Sequence, residues 1–159
     1  MHSPFRRAVA VSARAMKRQR ALVIGIGSNL GSREALARAA LDLLAQVPDL
    51  RCHARAPLYD TAPMGPAQPR YLNTAALVHT TRSPESVFEA LLTVERALGR
   101  VRRQRWGPRT LDLDLLWIDD ETVSTERLTV PHAELTRRAF ALTPLLALRP
   151  DARDPRDGH

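Results

Sequence analysis

The sequence predicts an α+β fold with a ferredoxin-like β-α-β-β-α-β sandwich and a C-terminal helical extension. Three observations support this prediction: short apolar runs that suit buried strands, two stretches with apolar residues at helical spacing, and turn residues between them. The chain has 159 residues, enough for one domain with a hydrophobic core and too few for two of ordinary size.

The first half of the chain is predicted to form the elements β-α-β-β. Residues 21–27 form an apolar run that ends in glycine, which is typical of a buried strand. The turn at 28–32 leads into a helix whose apolar residues recur until Pro48. We expect one extended strand from Leu50 to about Ala62 and an antiparallel neighbour over 71–80.

The second half supplies α-β and the extension. Ser83 and Pro84 suit a helix cap followed by the first helical position, and Gly99 stands where a C-terminal cap belongs. A basic loop over 100–110 precedes a strand over 111–118. A last helix is predicted within 136–148.

The positive charge is concentrated at the N-terminus. The net charge is +7, and residues 1–20 hold six basic residues and no acidic one. The rest of the chain is therefore nearly neutral, and bulk charge does not indicate a nucleic-acid partner. This segment is either a basic disordered tail, a start site set too early, or an organellar transit peptide.

Composition limits the location of the protein. No apolar run approaches the roughly 20 residues that a membrane-spanning helix needs. The single cysteine, Cys52, excludes an internal disulfide and suits the cytoplasm.

Two aspartates are the first candidates for chemistry. Asp112 and Asp114 are two residues apart on a predicted strand, so their carboxylates point to one face. Plain alternation, with Leu111, Leu113, Leu115 and Trp117 inward, is the structural alternative. Like charges at this spacing repel unless a cation lies between them, and Mg²⁺ typically takes one or two carboxylates together with phosphates.

The preceding loop is strongly basic. Five arginines fall within ten residues with no acid among them, at positions 100, 102, 103, 105 and 109. A solvated basic loop is the alternative. Guanidinium groups next to paired carboxylates are the combination that phosphoryl-type transfer needs.

Three further residues draw attention by their positions. Glu95 falls inside the apolar arc of the second helix, either as an edge carboxylate that extends outward or as a functional group. Tyr71 and Asn73 share one face of a strand, which offers a stacking surface beside an amide. Surface residues on an edge strand are the alternative for this pair.

At this point the chain resembles a known family, 6-hydroxymethyl-7,8-dihydropterin pyrophosphokinase of folate biosynthesis. Residues 105–116, with the sequence RWGPRTLDLDLL, are similar to the family signature almost letter for letter. Four shorter pieces follow the family order, at 27–31, 61–66, 71–73 and 128–132. The resemblance covers roughly residues 21–151.

The resemblance implies transfer of pyrophosphate from ATP to the pterin hydroxymethyl group, with release of AMP. It implies a pyrophosphokinase domain over 21–151, whereas residues 1–20 have no family counterpart and are expected to form a basic disordered tail. Residues 152–159 are expected to form a frayed tail. It implies a monomer that binds ATP, the pterin and two Mg²⁺ ions, without nucleic acid or membrane partners.

The resemblance also implies roles for particular residues. Asp112 and Asp114 would hold the metal ions, and Arg100 and Arg109 would act in catalysis. The residues expected to bind ATP are Glu95, Arg102, Arg105, Trp106, Leu115, Arg127, Thr129, His132 and Arg138. Those expected to bind the pterin are Thr61, Met64, Tyr71, Asn73 and Phe140. The loop is one residue shorter than in some relatives, so Arg102 and Arg103 could exchange roles.

Other functions remain open on the residues alone. An RNA-recognition domain shares the element order, but its aromatic motif is missing and aromatic residues are 4% of the chain. A metal-independent phosphatase of similar fold would not need paired aspartates. An inactive relative is disfavoured because every expected charged position is filled.

Overall fold

The computed structural model describes residues 18–28, 33–61, 70–99, 111–133, 135, 139–156 and 158. Its helices are α1 (Arg33–Gln46), α2 (Pro84–Ala97) and α3 (Ala139–Leu148). Its strands are β1 (Arg20–Ser28), β2 (Arg51–Arg55), β3 (Tyr59–Thr61), β4 (Tyr71–Thr80), β5 (Asp112–Ile118), β6 (Val123–Ser124) and β7 (Thr129–Val130). The predicted mixture of strands and helices is confirmed.

The main sheet is antiparallel at each of its pairings. Its strands lie in the order β2-β4-β1-β5, and β3 also pairs with β4. The apolar strand β1 is central and is bonded along its length to β4 on one side and to β5 on the other. The edges therefore belong to β5 and to the short strands β2 and β3.

Helices cover both faces of the sheet. Helices α1 and α2 pack on one face, where Leu22, Ile24 and Ile26 of β1 alternate into the larger core cluster. Helix α3 packs on the other face, where Val23 of β1 and Leu145 of α3 belong to a smaller cluster. The alternation of β1 between two cores explains why its residues 21–27 are all apolar or glycine.

Helix α2 has the ends that its sequence predicts. The Ser83 hydroxyl accepts a hydrogen bond from the backbone N–H of Ser86 at 3.1 Å, and Pro84 occupies the first turn. At the other end, Gly99 has φ +79°, which glycine adopts without steric cost. These caps fix where α2 begins and ends relative to β5.

The strand predicted from Leu50 to about Ala62 is wrong in one respect, since the structure has two short strands there. Residues 56–58 lie between β2 and β3 and belong to neither strand, although the Ala56 N–H still donates to the Ala75 carbonyl at 2.9 Å. Pro57 has no N–H to donate, and the Thr74 hydroxyl bonds the Ala56 carbonyl at 2.8 Å. The break redirects the chain so that β3 pairs with the first part of β4.

Simple alternation along β5 is also wrong at Trp117. The register between β1 and β5 shifts after Val23, which leaves Leu116 as the extra residue of a bulge. Leu113 and Leu115 face the α1 and α2 side, whereas Leu116 and Trp117 belong to the cluster under α3.

Among the described residues, none of the helices is both long enough and apolar enough to cross a membrane.

Candidate active site

Both aspartates of β5 lie opposite glycines of the central strand. Asp112 pairs with Gly27 and Asp114 pairs with Gly25. Because Leu113 between them points to the α1 and α2 side, both aspartate side chains start on the opposite face. Each aspartate is half-buried. The predicted common face of the two carboxylates is therefore confirmed.

Asn73 lies in line with Gly27 and Asp112 across three neighbouring strands of the sheet. It pairs with Gly27 from the other side, so Asn73, Gly27 and Asp112 are consecutive neighbours on β4, β1 and β5. Neighbouring strands are about 4.8 Å apart, which puts the backbones of Asn73 and Asp112 roughly 10 Å from each other. The proposed pterin amide and the first carboxylate thus lie on one face of the sheet.

Gly27 is glycine for a reason that involves the site. A Cβ at this position would lie 2.9 Å from Oδ1 of Asn73 and 3.6 Å from Cδ1 of Tyr71. Asn73 is only 6% exposed and so has little room to move away. The missing side chain lets the amide and the tyrosine ring lie over β1.

The substrate residues are only partly within the described structure. Tyr71 is half-buried next to Asn73, and the backbone of Thr61 pairs with Tyr71. Phe140 lies in the first turn of α3. The side chains of Thr61 and Phe140, and all of Met64, lie outside the described parts.

Glu95 is buried. It is 3% exposed, and its carboxylate Oε1 accepts a hydrogen bond from the backbone N–H of Leu113 at 2.8 Å. The alternative of an edge carboxylate that extends into solvent is therefore wrong. The bond joins α2 to the strand between the two aspartates.

A cavity of about 200 Å³ opens beside β5, between α2 and the segment that carries β7. It brings together Asp114 and four of the residues expected to bind ATP. The lining residues are Phe88, Leu113, Asp114, Leu115, Arg127, Leu128, Thr129, His132 and Ala133. The cavity therefore extends from a proposed metal ligand to residues far from it in sequence.

Two contacts hold the far side of this cavity. The backbone N–H of His132 donates to the carbonyl of Leu116 at 3.0 Å, which ties the His132 segment to the bulge of β5. The guanidinium of Arg127 forms an ion pair with Glu89 at 2.7 Å and lies 5.5 Å from the centre of the Phe88 ring. Arg127 is thus positioned by two residues of α2.

Phe88 and Glu89 are neighbours of the site that sequence reasoning missed. Helical spacing assigned Phe88 to the apolar arc of α2, and it does pack against the larger core while also lining the cavity. Glu89 carries no signal in the sequence, because its partner Arg127 is 38 residues away. Only the fold brings them together.

The basic loop lies outside the described residues. This applies to Arg100, Arg102, Arg105, Trp106 and Arg109, and also to Arg138. Their expected roles stay predictions.

The described donor set suits a metal ion with few protein ligands. Within the described ranges, no three Asp, Glu, His or Cys side chains form a group that could hold a metal. Two carboxylates on one face remain, and Mg²⁺ commonly takes one or two carboxylates while keeping waters and substrate phosphates. Asp112 and Asp114 fit such an ion.

Comparisons with known proteins identify the family. Residues 23–150 match the family model described as 7,8-dihydro-6-hydroxymethylpterin-pyrophosphokinase (HPPK). A 2-amino-4-hydroxy-6-hydroxymethyldihydropteridine pyrophosphokinase of Pseudomonas aeruginosa is 44% identical over 137 residues, which cover 86% of this chain and 85% of that protein. The enzyme of the same name from Methylorubrum extorquens is 43% identical over 129 residues, 80% of this chain and 82% of its own.

Solved structures give the same fold. A crystal structure of HPPK-DHPS from Plasmodium falciparum, the A437G form with SDX-DHP, aligns with a TM-score of 0.66 at 14% sequence identity. The alignment covers 86% of this chain and 43% of the Plasmodium chain, so this protein spans less than half of that one. Because the family model matches residues 23–150, most of this chain, the chain belongs to the 7,8-dihydro-6-hydroxymethylpterin-pyrophosphokinase family.

Proposed function

We propose that the sheet face carrying Asp112, Asp114 and Asn73, with the adjoining cavity, is the active site. The protein transfers pyrophosphate from ATP to the hydroxymethyl group of 6-hydroxymethyl-7,8-dihydropterin and releases AMP, in folate synthesis. The observation that carries the proposal is the row across three strands in which Asn73 and Asp112 flank Gly27. An amide that can bind a pterin edge and a carboxylate that can bind a metal are thereby brought to one surface.

Asp112 and Asp114 are the proposed ligands of two Mg²⁺ ions. Their shared face and their partial burial support this assignment. When bound, the ions would supply positive charge that neutralises the phosphate oxygens.

The cavity is the proposed nucleotide site. Leu115, Arg127, Thr129 and His132 line it, and Glu95 fixes the strand that forms its wall. Arg102, Arg105, Trp106 and Arg138 complete the proposed set on the strength of the family resemblance. Arginine suits phosphate because its planar fork donates two parallel hydrogen bonds.

The pterin site is proposed at Tyr71 and Asn73, with Thr61, Met64 and Phe140. The Asn73 amide has both a donor and an acceptor for the aminopyrimidinone edge, and Tyr71 offers a ring for stacking. Burial of Asn73 supports this role, since a fixed amide selects its partner better than a mobile one.

The proposed mechanism depends on positioning and charge. The hydroxymethyl oxygen forms a bond to the β-phosphorus of ATP while the bond from that phosphorus to the AMP oxygen breaks, and the hydroxyl proton leaves to solvent. Arg100 and Arg109 are the proposed catalytic residues, placed to neutralise charge on the group in transfer. No protein nucleophile is needed.

Four wider properties are part of the proposal. The strand order β2-β4-β1-β5 supports the ferredoxin-like topology. We also expect a monomer, a cytoplasmic location and no binding of nucleic acid. A sedimentation measurement tests the monomer, and a gel shift with single-stranded RNA tests the absence of nucleic-acid binding.

The reaction is tested by incubating the protein with ATP, Mg²⁺ and the hydroxymethyl-dihydropterin. AMP and pterin pyrophosphate are the expected products, and EDTA should stop their formation. ADP as the nucleotide product would contradict the assigned reaction.

The site is tested by Asp112→Asn and Asp114→Asn. Each should lower kcat by a factor on the order of 10² or more, because a carboxylate that binds the metal is lost. Asp120→Asn is the matched control, since Asp120 lies in the exposed turn after β5 and asparagine tolerates its φ of +54°. Full activity of either site variant at ordinary Mg²⁺ would remove the metal assignment.

A further inference from the structure

Two histidines lie against each other at the opposite end of the sheet. The rings of His53 on β2 and His79 on β4 have centroids 4.9 Å apart and planes inclined by 14°. His53 is exposed and His79 is half-buried. Within the described part of the chain, this ring contact is the interaction that the pair makes.

A bulge creates the pair. The register between β2 and β4 shifts between Cys52 and Ala54, so His53 is the extra residue on β2. His79 pairs with Arg51 on one side and with Ala21 on the other. The side chain of Cys52 packs against the larger core, on the face of the sheet opposite the two histidines. The two imidazoles are thus brought together by strands that are rigidly paired.

We propose that His53 and His79 form a two-imidazole site for a borderline divalent transition cation such as Zn²⁺, Ni²⁺ or Cu²⁺. Neutral imidazole nitrogen is a preferred ligand for these cations, at about 2.0–2.1 Å for zinc. The rings are stacked in this structure, so the exposed His53 ring would have to turn about χ2, a broad torsion in histidine, for one nitrogen of each ring to reach a shared ion. Waters would complete the coordination.

The ligand type selects the kind of cation. Arg51 pairs with His79 across the strands and repels every divalent cation alike, whereas Arg55 is neutralised by an ion pair with Asp42 at 3.3 Å. Mg²⁺ and Ca²⁺ rely on anionic oxygen ligands, which the two imidazoles do not supply. Only an ion with a strong preference for nitrogen gains enough to bind here.

The site is separate from the proposed active site. His79 and Asn73 are six residues apart on β4, which corresponds to about 20 Å along the strand. An ion held there would join the short edge strand β2 to β4 without touching the substrates. The proposal therefore does not depend on the function of the other end.

The test removes the other three histidines of the chain, which has five in all, so that zinc binding to an imidazole reports on the pair alone. A full-length background with His2→Asn, His132→Asn and His159→Asn keeps only the pair of histidines, and Asp112→Asn and Asp114→Asn in the same background remove the proposed Mg²⁺ ligands. Titration with ZnCl₂ in a calorimeter should give one zinc per chain. Adding His53→Asn or His79→Asn should each weaken binding by about tenfold or more. MgCl₂ should give no binding heat, and Arg51→Ser should tighten zinc binding.

Two outcomes would overturn the proposal: a background protein that does not bind zinc, or single variants that bind it as tightly as the background. If a variant fails to fold, nitrogen NMR of the unsubstituted chain tests the site instead. One equivalent of zinc should shift the imidazole signals of His53 and His79 together, and unshifted signals would also reject the site.

Discussion

At the scale of single residues, the site depends on groups that are not themselves reactive. The Glu95 carboxylate is buried where an apolar side chain would be ordinary, and it accepts the backbone N–H of Leu113. A strand edge that carries two aspartates needs a fixed backbone if both carboxylates are to serve one ligand. Glu95 provides that fixed point from α2.

Removal of this acceptor should destabilise the protein. Glu95→Ala leaves the buried N–H of Leu113 without its partner, which costs about 1–3 kcal/mol, and adds a cavity term. Glu95→Gln retains a carbonyl oxygen of similar reach and should cost less. Urea unfolding of the three proteins measures the difference. Equal stability of the Ala variant and the parent would mean that the bond contributes nothing.

Gly27 is the second such residue, and its substitution should affect one substrate selectively. The Cβ of Gly27→Ala would lie 2.9 Å from the Asn73 oxygen and so displace the amide. Loss of one good hydrogen bond to the pterin corresponds to about a tenfold increase in its KM, with little change for ATP. Steady-state kinetics with each substrate varied in turn provides the measurement.

Gly25→Ala is the matched control on the same strand. Its Cβ would lie 2.8 Å from Cδ1 of buried Leu116, so the strain falls on the core. This variant should lose stability without a selective change in the KM of the pterin. If both alanine variants raise that KM equally, Gly27 has no specific role in positioning Asn73.

At the scale of elements, α2 joins the core to the cavity beside β5, the proposed nucleotide site. One helix carries buried Glu95, half-buried Phe88 and exposed Glu89. The last two contact Arg127 from the loop before β7. In the proposed function Arg127 binds the nucleotide, so Glu89 and the nucleotide compete for the guanidinium of Arg127.

Glu89→Gln should therefore strengthen ATP binding modestly. Both side chains of the ion pair are more than half exposed, and such pairs contribute only about 0–1 kcal/mol. The KM for ATP should fall by up to about fivefold, with a larger effect at low salt. Glu85→Gln, one turn earlier on the exposed surface, should leave it unchanged. A higher KM for ATP in Glu89→Gln would show that Glu89 helps Arg127 to bind.

The sequence predicts elements well where their signals are local. The ends of α2 follow from Ser83, Pro84 and Gly99, and β4 has the predicted bounds. The break at Pro57 was not predicted although the proline is a local signal, whereas the bulge at Leu116 could not be predicted because it depends on pairing with β1, which is distant in sequence. Tertiary pairing decides strand continuity more than composition does.

At the scale of the whole molecule, the site is a product of topology. The common face of Asp112 and Asp114 could be predicted from a period of two, since both lie on one strand. Their proximity to Asn73 could not, because it requires β1 to lie between β4 and β5. The sequence alone connected these residues only through family resemblance.

Residues after α3 cover part of the smaller core cluster. Trp117, placed under α3 by the bulge, donates from its indole N–H to the Arg153 carbonyl at 2.8 Å. The Arg149 guanidinium lies 5.0 Å from the centre of the indole ring, and Ala152 packs against the same cluster. Residues beyond α3 therefore contribute to the core.

A chain that ends at Ala152 should be less stable because it lacks the Arg153 carbonyl. The expected cost is about 1 kcal/mol, which lowers Tm by roughly 2–4 °C for a protein of this size. Arg153→Ala keeps the backbone carbonyl and should leave Tm close to that of the parent. Trp117→Phe removes the donor and should cause a loss of its own. Because the truncation and Trp117→Phe break the same bond, their combined loss should be smaller than the sum of the two. Calorimetric scans of the five proteins, which include the parent and the combined variant, decide this, and strictly additive losses would mean that the C-terminal residues stabilise the fold without using the indole.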